Sequence, residues 1–417
     1  MLNIDKLCFV ATYIGTFFMY LRIVPIDAET QPIIPCLFLF LAIPFGLNKI
    51  LEARDEELFL LLFCWVVLCY LFYGLFEDNW LRNCVYAFKI LFCPLLYLFV
   101  LKGVKYVNIS HVRIVVYTLL CFCIGSIVYV PALTEIIKFV IKFFLPRYSF
   151  GEGVRGISIL TAEPSYFVYF VILSIFTLDF IKLRDSKTSE TEIIILKSII
   201  IFMGGLTRSA LVYVFILYYI SISLFFSKKH LTEKILIFIF ISFFCIMLLL
   251  CTNNRLKEIF ENIMASKNIF DVLFYSDASG GFRALFNCLY YLSIFINPFG
   301  FGLGEMSENW FVVANYFDIN PFINTHLANM IEDINNIDAQ AYIPNVIGNV
   351  GVFSWLLILF VFKRNSFGDL KFKTNVLTTL IVFMFVLQSN YVNPVFWFLL
   401  AFIKYKGSTK SKHLSCN

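Results

Sequence analysis

Long apolar runs broken by short polar stretches recur from end to end of this chain. A helix crosses a bilayer with about 20 apolar residues, so each run of that length predicts a span. Twelve are predicted, at 7–24, 32–48, 57–75, 82–101, 112–130, 163–181, 192–205, 208–226, 233–251, 342–362, 373–389 and 391–405. The seventh and twelfth are short, and the last two form a tight hairpin with Asn390 and Asn393 at its tip. The pattern predicts an all-α polytopic integral membrane protein, with 1–417 as a single transmembrane domain.

Two segments interrupt this rhythm. Residues 131–162 hold an amphipathic run, Ile136 to Leu145, with Lys138 and Lys142 on one face. That pattern predicts a helix lying in the membrane interface. Residues 252–341 form a long loop whose apolar stretch, Ala284 to Ile296, is too short to span and predicts a re-entrant or surface helix. Its aromatic content is enough to fold it against the bundle.

Composition agrees with the pattern. The 417 residues are 60% hydrophobic, 19% aromatic and only 15% charged, where soluble domains run near a quarter charged. The first run lacks a small-residue cleavage site and reads as a retained helix. Eleven of the twelve cysteines lie in or beside apolar runs without paired spacing, as packing residues would. No sequence feature points to a nucleic-acid partner.

Basic residues orient the spans. With the N-terminus in the cytoplasm, 21 of the 33 Lys and Arg fall on the cytoplasmic side, Lys197 among them, and 11 on the other; Lys89 lies within a span. Positive charge concentrates in cytoplasmic loops, so both termini are expected there and 131–162 and 252–341 outside.

The candidate chemistry lies at that outer surface. Arg155 and Glu163 stand just ahead of the sixth span, where ionisable groups are costly and usually functional. The plainer reading is a helix start, with Thr161 as N-cap and Glu163 and Pro164 in the first turn. Arg208 occupies the turn Gly204 to Ser209, and Arg283 follows the Gly-rich stretch Asp277 to Gly281. Three guanidinium forks in turns at one surface predict a shared anion site. Lys89 is expected roughly 12 Å into the fourth span at about 1.5 Å per residue, with Arg82 two turns above it on a similar face. Few carboxylates lie inside other spans to pair with them. Gly300, Gly302 and Gly304 predict a flexible turn with free amides. His326 is the one histidine of the outer loops, and no metal-ligand spacing occurs.

The motif Arg155-Gly-x-x-x-Leu-x-x-Glu163-Pro-Ser165 resembles that of bacterial O-antigen polymerases of the Wzy type. Leu206-Thr-Arg-Ser-Ala210 is similar to their Leu-Thr-x-Ser-Arg turn, with the arginine one place earlier. Arg283 with Pro298–Gly304, and Asn345 to Gly351, resemble further motifs of the O-antigen ligase/polymerase superfamily. Ligases place a histidine before that Asn, and Pro344 stands there instead. The resemblance implies a GT-C-like inverting glycosyltransferase of the bacterial inner membrane. It would join undecaprenyl-pyrophosphate-linked oligosaccharide repeats at the periplasmic face, among membrane lipids, with no cofactor and with a chain-length regulator protein as a partner. Glu163, Arg155 and Arg283 are the expected catalytic residues. Arg208, Arg82, Lys89, Ser165, Asn345 and His326 are expected to bind substrate. An O-antigen ligase and a secondary transporter or lipid-carrier flippase are the alternatives; the missing correspondence between the two halves of the chain argues against transport.

Overall fold

The structure, a computed structural model, describes residues 4–21, 31–37, 57–127, 138–139, 141–145, 156–161, 163–185, 187–227, 230–252, 261, 278–319, 323, 338–363, 366–387 and 392–406. Most of the predicted second span, Arg155 and His326 lie outside them. The described residues are helical, and no strand occurs among them. Four helical stretches are long and apolar enough to cross a membrane: Trp80–Tyr106, Ile109–Ile127, Pro164–Arg184 and Tyr342–Phe362. Leu58–Gly74, Ala210–Phe225 and Val395–Lys404 are shorter apolar helices.

In chain order the helices are α1 (Ile4–Thr16), α2 (Leu58–Gly74), α3 (Trp80–Gly103), α4 (Ile109–Ile127), α5 (Phe167–Arg184), α6 (Glu190–Leu206), α7 (Ala210–Phe225) and α8 (Leu231–Thr252). There follow α9 (Ala278–Leu292), α10 (Met306–Tyr316), α11 (Tyr342–Val350), α12 (Ser354–Phe362), α13 (Leu370–Leu380) and α14 (Val395–Lys404). A helix apolar on all sides belongs in the interior or in lipid. α5 and α14 take the interior: every residue of α14 is buried, and α5 is buried from Phe167 to Leu178. α3, α4, α6 and α7 pack around them. α2, α4 and α8 turn large apolar side chains outward, among them Trp65, Phe72, Ile114, Phe240 and Phe243.

Local chemistry sets several helix ends. Ser189 accepts from the Glu192 amide to start α6, the S-x-x-E pattern of a capping box. Pro94 sits inside α3 and has no N–H for the carbonyl four residues back, at Ile90. The Tyr342 hydroxyl donates to that carbonyl at 3.1 Å, so the helix defect becomes the anchor of α11.

Lys197 lies within α6, not in a loop, and this corrects its place among the cytoplasmic loop residues. Its ammonium reaches Asp179 of α5 at 2.5 Å and the Tyr219 hydroxyl of α7 at 2.9 Å, while Tyr219 donates to Asp179 at 2.6 Å. Three helices are thus joined by a closed polar triad.

The long loop is helical where it is described. α9 begins at Ala278 and runs through Gly280 and Gly281, so Arg283 is on a helix instead of after a turn. Phe286, Leu289 and Tyr290 form its buried stripe and pack with Met306, Trp310 and Val313 of α10 in a second, smaller apolar core. After α13 the chain continues as a π-helical turn, Ile381–Val386. Such turns free carbonyls, and α9 docks on two of them: Asn287 donates to Val386 at 2.8 Å and Tyr291 to Phe385 at 2.6 Å.

Candidate functional site

Arg82, Tyr86 and Lys89 stand at i, i+4 and i+7 on α3 and so share one face. The segment between α8 and α11 supplies their partners. Arg82 pairs with both Glu305 and Glu308, its guanidinium spanning the two carboxylates. The Tyr86 hydroxyl lies 2.9 Å from each carboxylate oxygen of Asp338. Lys89 places its ammonium 4.3 Å from the Tyr86 ring centroid, and its charge acts on Asp338. The carboxylates that seemed too few for these cations come from the loop, not from other spans.

The glycine turn fits into this arrangement as a rigid piece. Gly300, Gly302 and Gly304 all have left-handed φ, at 82°, 105° and 78°, where a side chain is disfavoured. A Cβ on Gly304 would stand 2.7 Å from the Tyr86 ring. The amides expected to be free are taken: Phe301 donates to Gly348 O at 2.9 Å, Gly302 to Asn349 O at 3.1 Å and Gly304 to Asn349 Oδ1 at 2.6 Å. This corrects the reading of a flexible turn with free amides.

Asp338 opens a four-residue stretch held on both sides. Asn287 Oδ1 accepts from the amides of Gln340 at 2.9 Å and Ala341 at 3.0 Å. Asn345 Nδ2 donates to the carbonyls of Ala339 and Ala341. Asn345, expected to bind substrate, is buried and holds this stretch in place. The Tyr290 hydroxyl also bonds to Asp338. Burial pushes the Asp338 carboxyl up from its ordinary value, against the attraction of Lys89 and the hydrogen bonds from Tyr86 and Tyr290.

A second polar zone surrounds the start of α5. The Ile157 amide approaches Leu206 O at 3.4 Å, and a Cβ on Gly156 would stand 2.1 Å from Thr207 O. The stretch that follows Arg155 therefore lies on the turn that carries Arg208. Arg208 is exposed and left-handed, with φ 51°, a conformation unusual for a residue with a side chain. Glu163 occupies the N-cap position ahead of Pro164, with extended backbone and no side-chain bond to the first helical amides. Thr161, expected as the cap, donates instead to the Glu163 carbonyl at 2.7 Å. Ser165 has a buried hydroxyl with no hydrogen-bond partner. Farther along α5, Tyr169 lies close enough to Arg283 for the guanidinium to act on its hydroxyl.

α9 links the two zones. Arg283, Asn287 and Tyr290 stand at i, i+4 and i+7, one face directed first to Tyr169 and then to Asp338. Arg283 is brought to α5, Arg208 to the Gly156 stretch, and Arg82 and Lys89 to the Asp338 cluster. Tyr86, Tyr290, Glu305, Glu308 and Asp338 were missed in the sequence. The one local signal was Tyr86, midway along the Arg82–Lys89 face. Among the described residues no cluster of three His, Cys, Asp or Glu suits a metal ion. The chain matches no family model, no curated protein and no solved structure.

Proposed function

We propose that this protein is an O-antigen polymerase, a membrane glycosyltransferase that joins undecaprenyl-pyrophosphate-linked repeat units by inverting transfer at the periplasmic face. The observation that carries the reading is Arg283 within electrostatic range of Tyr169, on the helix that Glu163 opens. Breaking a glycosyl–pyrophosphate bond builds negative charge on the leaving phosphate. Preorganised arginines at a low-dielectric boundary meet that demand. Arg283 and Arg155 take the pyrophosphate, and Arg208, exposed on the adjoining turn, extends the anion-binding surface. Glu163 serves the acceptor sugar, as its proton acceptor or as the group that orients it. Its lack of a capping bond supports a role other than starting the helix. A GT-C-like arrangement of twelve spans, with both termini in the cytoplasm, belongs to the same proposal.

The test is the lipopolysaccharide ladder of a strain deleted for the gene. A polymerase leaves core capped by a single repeat. Loss of all attached O-antigen would indicate a ligase or a flippase, and carrier-linked repeats stranded in the inner leaflet would single out the flippase. An unaltered ladder would reject all three.

A further inference from the structure

Asp338 is half-buried, yet its surroundings are built to a degree that a loop carboxylate does not need. Its backbone stretch is tied by Asn287 and Asn345. Its oxygens meet two phenols from different helices, Tyr86 of α3 and Tyr290 of α9. The charged groups around it are Lys89 and, beyond Tyr86, Arg82, which Glu305 and Glu308 neutralise. Tyr290 stands on the same face of α9 as Arg283, seven positions along, or about 10 Å at 1.5 Å per residue.

In an inverting displacement the leaving group and the proton acceptor act on opposite sides of the anomeric carbon. Arg283 and, through Tyr290, Asp338 lie along one face of α9, so a cation and a carboxylate are available to the two sides.

We infer that Asp338 accepts the proton of the acceptor hydroxyl, an inference that rests on the glycosyl transfer proposed above, and that Glu163 orients the acceptor. The acceptor O–H bond breaks and its proton passes to a carboxylate oxygen of Asp338. The electron pair left on the acceptor oxygen forms the new bond to the anomeric carbon. The bond from that carbon to the pyrophosphate oxygen breaks, its pair stays on the phosphate, and Arg283 takes up the charge. A carboxylate whose proton affinity is raised by burial is better matched to this step than an ordinary one. A stapling role for Asp338 is the competing account, and the two diverge in pH dependence.

The experiment uses the full-length protein in nanodiscs, with carrier-linked repeat units extracted from a strain deleted for its gene. Chain growth is timed across pH. If the wild type does not elongate these units, the polymerase reading itself fails. If it does, Asp338→Asn should lower the rate by about 10²–10⁴-fold at an unchanged melting temperature, and Asp338→Glu should recover part of it. Tyr86→Phe removes a donor to the carboxylate, so the acid limb of the pH profile should move upward. Should Asp338→Asn fail to fold, that limb decides alone. An Asp338→Asn rate within about tenfold of wild type, an acid limb unmoved in Tyr86→Phe, or a limb that disappears in Glu163→Gln would each overturn the assignment.

Discussion

Tyr86 and Asp338 are 252 positions apart in sequence, and one phenol hydroxyl bridges both oxygens of the carboxylate at 2.9 Å. With Arg82 on Glu305 and Glu308, the contact joins the segment between α8 and α11 to the N-terminal half of α3. Arg82→Ala should leave two part-exposed carboxylates without this partner and cost on the order of 1 kcal/mol. Limited proteolysis should then cut faster between α9 and α11. Cleavage at the wild-type rate would show that the pairs contribute nothing to docking.

Arginine is expected to be irreplaceable where phosphate is bound. Lysine keeps the charge but not the planar fork, so Arg208→Lys, Arg283→Lys and Arg155→Lys should each weaken donor use. The measurement is the dependence of chain growth on carrier-linked donor concentration. Full activity in all three variants would remove pyrophosphate recognition from these residues.

For Glu163 the roles separate by magnitude. As the group that orients the acceptor, Glu163→Gln should lower the rate by less than the 10²–10⁴-fold typical of losing a general base, with the larger effect on acceptor KM. A loss within that range at constant KM would return the proton to Glu163 and take it from Asp338.

The triad of Asp179, Lys197 and Tyr219 is expected to hold helices together and to carry no chemistry. Lys197→Met strands a half-buried carboxylate and should destabilise by about 1–3 kcal/mol, whereas Asp179→Leu combined with Lys197→Met should recover much of it. Chain growth in the double variant tests the assignment. Abolished growth in a protein of normal stability would mean that the charges have a task, as transport would require.

Orientation is tested with reporter fusions at Lys229 and Asn315. Opposite sides are expected from the bias of basic residues. Matching signals would refute both the topology and a periplasmic site.

The sequence was informative where structure is local. The apolar runs that became α3, α5 and α12 were visible because α5 is buried and the exposed faces of α3 and α12, with Phe88 and Trp355 among them, are also apolar, which leaves few polar interruptions. Arg283 was read into a turn because Gly280 and Gly281 precede it. The stripe of Phe286, Leu289 and Tyr290 nevertheless carries the helix through both glycines. Nothing local marks Asp338 or Glu305: their partners on α3 are more than two hundred positions away. The π-helical turn at Ile381–Val386 was equally hidden, since the bonds that compensate for it come from Asn287 and Tyr291.

The fastening of the segment between α8 and α11 along α3 bears on how the proposed lipid-linked substrate would travel. A polyprenyl tail entering sideways between α3 and α10 would have to part Arg82 from two carboxylates. Just beneath, it would meet Tyr86 bound to Asp338 and packed against Gly304. Hydrocarbon offers no polar replacement for those contacts. That flank is therefore a closed wall, and on the proposed glycosyl transfer the isoprenoid chain would have to enter elsewhere on the perimeter.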